Sequence, residues 1–179
     1  MSASFTPRFL ICALFLCAAS AVPAFSQVEI ARVSWEVSKL TGKSRSPYAP
    51  VTDLRAAPEL KFTDYLRAIV TLRNPSAKPV EGLVLRYALS LRLLKKGDAP
   101  EKAFWGVPFY VEEVRVSKVN PSSERQAKVL RFELQTQLNK LRNSGFAPTA
   151  LRMDTMLTPR LGDEPAAIIR ESIIEILKP

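Results

Sequence analysis

The chain has 179 residues, 26 Lys and Arg against 17 Asp and Glu, and a formal net charge of +9. It contains two cysteines and no histidine, which removes the Ser-His-Asp triad, the Cys-His dyad and histidine metal ligands at once. A positive field favours anionic partners and equally serves solubility, so charge alone selects no function.

The first 26 residues read as a secretory signal peptide. Arg8 gives a basic start, Phe9 to Ala19 is an unbroken apolar run, and Ala24-Phe25-Ser26 is a small-residue close. The run is too short to cross a bilayer as a helix. Leu16 before Cys17 is the wrong residue for a lipoprotein site. Cleavage near Ser26 removes both cysteines and leaves 153 residues with a net charge of +8. That is the size of one ordinary domain, here residues 27–179, with no disulfide to staple it. The expected location is periplasmic or extracellular.

Beyond the leader, alternation of period two dominates. In Val28–Lys39, Ala31, Val33, Trp35 and Val37 fall on one face. In Phe62–Arg73, Leu66, Ala68, Val70 and Leu72 lie opposite Arg67, Ile69, Thr71 and Arg73. In Leu83–Leu93, Leu83, Leu85, Tyr87, Leu89, Leu91 and Leu93 oppose Arg86, Ala88, Ser90 and Arg92. Each pattern predicts a half-buried strand. Residues 41–60, with Pro47, Pro50 and Pro58, read as a long loop.

Phe104–Val119 holds one or two strands broken by Gly106 and Pro108. Lys128–Glu133 is another strand, with Leu130 and Phe132 inward. Leu134, Leu138 and Leu141 have helical spacing, which predicts a short helix over 134–143 closed by Gly145. Leu151, Met153, Thr155 and Leu157 alternate with Arg152, Asp154 and Met156, and Ile168–Leu177 is a last strand. Asn74-Pro75-Ser76 and Asn120-Pro121-Ser122 are turns with the same local chemistry. The fold class expected is all-β: an antiparallel immunoglobulin-like β-sandwich of about seven strands with one short helix.

The run Ile69-Val70-Thr71-Leu72-Arg73-Asn74-Pro75-Ser76, then Pro79-Val80-Glu81-Gly82-Leu83, resembles the second and third strands of immunoglobulin-like or fibronectin-III-like modules of exported bacterial proteins. Its Asn-Pro turn is also similar to that of the late-embryogenesis-abundant type β-sandwich. The likeness covers about 30 residues. It implies the fold and carries no catalytic residue, and the cysteine pair of true immunoglobulin domains is absent.

Chemistry is scarce. No Ser-x-x-Lys occurs after the leader, and the pairs Ser38-Lys39 and Ser117-Lys118 point apart if they lie on strands. Gly42-Lys43-Ser44 ends like a phosphate loop, but Val37 stands where the motif needs glycine and Ser46-Pro47 blocks the helix. Glu112-Glu113 on a strand point apart, and Asp163-Glu164 alone is too small a calcium set. No cofactor, metal or catalytic residue is predicted.

Two groups suit binding. Phe104, Trp105, Phe109 and Tyr110 are adjacent aromatics, so one of each pair should face outward and mark a protein contact. Arg67, Arg73, Arg86, Arg92, Arg131 and Arg152 lie on outer strand faces and suit an anion, though spread over both sheets. The reading is a non-enzymatic module of the cell envelope that binds or scaffolds a protein, through the aromatics or a free strand edge. Polyanion binding, to an acidic glycan, envelope phosphate polymer or nucleic acid, is the alternative. A hydrolase with an unrecognised carboxylate pair is third.

Overall fold

The alternation of apolar and polar residues is realised as strands almost everywhere. The computed structural model describes residues 28–55, 62, 64–129, 134–141 and 143–177; the signal peptide expected over 1–26 lies outside them. The strands are β1 (Glu29–Ser38), β2 (Leu40–Thr41), β3 (Ser44–Arg45), β4 (Ala49–Val51), β5 (Asp53–Arg55), β6 (Tyr65–Asn74), β7 (Leu83–Lys95), β8 (Phe104–Trp105), β9 (Tyr110–Val116), β10 (Ser123–Val129), β11 (Phe146–Leu157) and β12 (Ile169–Leu177). Helix α1 spans Leu134–Leu141 and the single turn α2 spans Pro165–Ile168.

One sheet has the order β10-β6-β1-β4. The other runs β5-β12-β11-β7, with β8 and β9 both paired to the far edge of β7. The protein is all-β, and among the described residues every strand pair but one is antiparallel. The exception is β5, which lies parallel to β12. Seven strands are seven or more residues long: β1, β6, β7, β9, β10, β11 and β12. Counting only these, the first, second and fifth form one sheet and the third, fourth, sixth and seventh the other.

The two inner faces share one core. Leu66, Ala68, Val70 and Leu72 from β6 and Leu83, Leu85, Tyr87, Leu89 and Leu91 from β7 are all buried in it, with Leu151, Met153 and Leu157 from β11. Trp35 on β1 reaches across and donates its indole N–H to Ser172 Oγ on β12 at 2.9 Å. Its polar atom is thereby satisfied inside the core.

Three sequence expectations shift. In β1 the register slips between Ile30 and Arg32, so Ile30 is buried with Trp35 and Val37 while Ala31 is only half-buried. A bulge places two residues against one and resets the alternation. Residues 41–60 are not a plain loop: β4 pairs with β1 and β5 with β12, so the segment crosses from one sheet to the other. The strand expected over 128–133 begins earlier, at Ser123; Leu130 to Glu133 lie outside the described residues. Helix α1 matches its leucine spacing, with Leu134 and Leu138 buried.

Candidate functional site

The aromatic segment forms the edge of the larger sheet. Trp105 pairs with Arg92 on β7, whereas Tyr110 pairs with Leu89. Four residues therefore separate Trp105 from Tyr110 where β7 has only two. The surplus is pushed outward around Gly106 and Pro108, and Val107 at its tip is 86% exposed. The bulge is pinned at both ends: Gly106 N–H donates to Leu91 O and Phe109 N–H to Leu89 O, each at 2.9 Å.

The four aromatics do not form one exposed cluster. Phe104 is 49% exposed and meets Phe146 edge-on, with ring centres 5.8 Å apart. Trp105 turns to the outer face, where the Arg152 guanidinium lies 4.7 Å and the Arg92 guanidinium 5.9 Å from its ring centre. Phe109 packs against the core. Tyr110 is half-buried 6.0 Å from Tyr87. Phe104 and Trp105 thus both lie toward solvent or the outer face, whereas Phe109 and Tyr110 both pack against the core.

Tyr87 and Tyr110 both donate their hydroxyls to Glu112 Oε2, the second at 3.0 Å. Burial pushes the Tyr87 phenol far above its ordinary pKa, and the hydrogen bond to the Glu112 carboxylate adds to this. Tyr110 is raised for the same two reasons, in the same order. Glu113, the next residue, points the other way and pairs with Arg86 at 2.6 Å. The two carboxylates therefore belong to different faces, as alternation requires.

The arginines divide between two surfaces. Arg67 and Arg73 lie on the smaller sheet, and Arg86, Arg92 and Arg152 on the larger. Arg67 is held by Glu36 at 2.6 Å and stacks 3.8 Å from the Tyr48 ring centre. Arg73 pairs with Glu29. Arg92 meets Glu175 at 2.9 Å. Arg152 lies 3.6 Å from Glu171. Its Nε is 3.1 Å from Asp154 without the alignment of a hydrogen bond, so that atom is unpartnered. Arg131 lies outside the described residues. Every described member of the set is already paired with a carboxylate, so these five form no stripe of open cations.

Sequence reasoning missed two features. Val107 and Val111 are 86% and 70% exposed, on the same edge as Phe104. The run Tyr110-Val-Glu-Glu-Val-Arg-Val116 has mixed faces, so alternation does not say which valine faces water. The second feature is Ser90, fully buried although it lies on the outer face of β7. It stands opposite Arg152 in register, beside the Arg92–Trp105 pair, and its hydroxyl has no partner. A small residue at this position leaves room for Trp105 to reach over to Arg152.

No protein-family model matches the chain, and no curated protein does. Among solved structures it is similar to a crustacean hemolymph-type prophenoloxidase, at 10% identity and a TM-score of 0.45. The likeness covers 86% of this chain and 34% of that one, so the chain spans about a third of that protein's length.

Proposed function

We propose that the protein is a non-enzymatic binding module of the cell envelope, exported by its signal peptide, that holds a protein partner along the edge formed by β8, the 106–109 bulge and β9. The observation that carries this is the exposed apolar residues Phe104, Val107 and Val111 along a strand edge with no further strand beside it among the described residues. Exposed apolar side chains beside unpaired backbone groups are what strand addition uses: backbone hydrogen bonds give affinity and alternate side chains give specificity. No helix among the described residues is long and apolar enough to cross a membrane.

The strand order supports an immunoglobulin-like or fibronectin-III-like sandwich as the scaffold. Such modules place the first, second and fifth strands in one sheet and the third, sixth and seventh in the other. The long strands here follow that division, with the fourth joined to the third. The absence of histidine from the whole sequence supports a role in binding rather than reaction. Polyanion binding has less support, because Arg67, Arg73, Arg86, Arg92 and Arg152 are each paired with a carboxylate of the same chain.

The test is capture from a native envelope extract with wild type and Val107→Asp. Val107 is exposed enough that the substitution should change stability by less than about 0.5 kcal/mol. The variant should lose the partner. An identical set of captured proteins would sink the edge as the binding site. Capture that collapses between low and moderate salt would instead favour the polyanion.

A further inference from the structure

We infer that the partner of β9 is β9 of a second copy, joined antiparallel about a two-fold axis through Val114. The inference rests on the edge being the interaction surface, and it adds the identity and register of the occupant.

Among the described residues five strands end the two sheets: β4 and β10 in one, β5, the two-residue β8 and β9 in the other. Strand β4 is three residues long and carries Pro50, and β5 is three residues long. Proline and shortness are both devices that blunt an edge. Strand β10 is seven residues long, but Glu124, Arg125, Gln126 and Lys128 make it polar along most of its length, with no exposed large apolar side chain. Only β9 combines seven residues with an exposed large apolar side chain, Val111, and a flanking apolar bulge.

The charges on β9 then choose an occupant. Its outer face carries Val111, Glu113 and Arg115, and its inner face Tyr110, Glu112, Val114 and Val116. Glu113 is neutralised by Arg86 at 2.6 Å. Arg115, two residues on, is exposed, and among the described residues its side chain has neither an ion pair nor a hydrogen bond. An antiparallel pair continuing one sheet has its two-fold axis perpendicular to the sheet. Residues facing one another must then share a face, so the axis passes through a residue. An axis at Glu112, Glu113 or Arg115 sets that charge against its own copy, which destabilises a cross-strand pair. An axis at Val114 sets Val114 against Val114 and Glu113 against Arg115 of the other copy, twice by symmetry. Each row then reads Arg86, Glu113, Arg115 across the junction, alternating in sign. The unsatisfied Arg115 gains a carboxylate, and the edge disappears into a continuous sheet.

The experiment is sedimentation velocity on the purified protein up to about 100 μM, where a micromolar Kd populates the dimer. Wild type should dimerise. Arg115→Glu and Glu113→Arg should each weaken association at least tenfold, because each sets like charges opposite in its own dimer. An equimolar mixture of the two should recover a heterodimer, since Glu113 then meets Arg115 and the introduced residues meet each other with opposite sign. Recovery in the mixture also shows that both variants are folded. A wild type that stays monomeric at every concentration overturns the inference. So do single variants that dimerise as well as wild type, or a mixture that fails to associate. The binding reading fails separately: a monomer whose envelope capture still depends on Val107 sinks only the self-pairing.

Discussion

Asn74 shows how much a single turn residue can hold. It is fully buried, and its side-chain amide meets the carbonyls of Lys78, Val119 and Asn120 at 2.8, 3.1 and 3.1 Å. Its oxygen accepts from the Ser76 N–H and hydroxyl. Ser122 N–H closes the arrangement on Ser76 O at 3.1 Å. The two Asn-Pro-Ser turns, alike in sequence, are thus in contact. Asn74→Ala removes three hydrogen bonds to carbonyls and the acceptor of the Ser76 N–H and hydroxyl, and should cost about 2 kcal/mol, read as a lower urea midpoint. Asn74→Asp should cost more, since a carboxylate would face carbonyl oxygens. The Tyr87 phenol makes a pH prediction. Its pKa is raised in the folded state, so its contribution is fully present below the unfolded value of about 10.0 and is lost as pH rises beyond it. Urea midpoints from pH 8 to pH 11 should fall in wild type, and Tyr87→Phe should flatten that fall. An equal fall in the variant would assign it to other groups.

At the scale of elements, β7 and β9 explain what was legible. Six of the seven alternate positions from Leu83 to Lys95 are large and apolar, so period two fixes which face of β7 is inward. Strand β9 mixes apolar and charged residues on both faces, so its orientation came only from pairing with β7. The Trp105 position teaches the same lesson. Its ring lies between Arg92 and Arg152, a contact made by register across three strands and invisible in local sequence. Trp105→Ala should therefore destabilise the sheet by about 1 kcal/mol through lost cation–π and stem contacts. That makes Val107 the cleaner probe of binding. Helix α1 was readable because Leu134 and Leu138 are its buried face. Leu138→Ala should cost about 2–4 kcal/mol in chemical denaturation, the range for truncating a buried leucine.

Across the whole molecule, the segment from β2 to β5 ties one sheet to the other outside the long-strand framework. It pairs with β1 through Ala49–Val51 and with β12 through Asp53–Arg55. Its prolines read as loop because they end regular alternation, yet short edge strands tolerate proline where its missing N–H faces outward. Central strands β6, β7 and β11, each flanked by strands on both sides, should show the slowest amide exchange. In β9, amides directed away from β7 should exchange quickly in dilute solution and become protected as concentration rises. Concentration-independent exchange there would count against pairing of the edge.

The sequence by itself determined the all-β class, the inward faces of β6, β7 and β11, the short helix, and the absence of histidine chemistry. These follow from periodicity and composition, which are local or additive. Tertiary structure decided which strands are edges, that within the described residues Arg67, Arg73, Arg86, Arg92 and Arg152 each find a carboxylate while Arg115 does not, and that Val107 and Val111 face water beside Phe104. Those depend on pairing between residues far apart in the chain, and period two records only which side of a strand a residue takes, never what lies across from it.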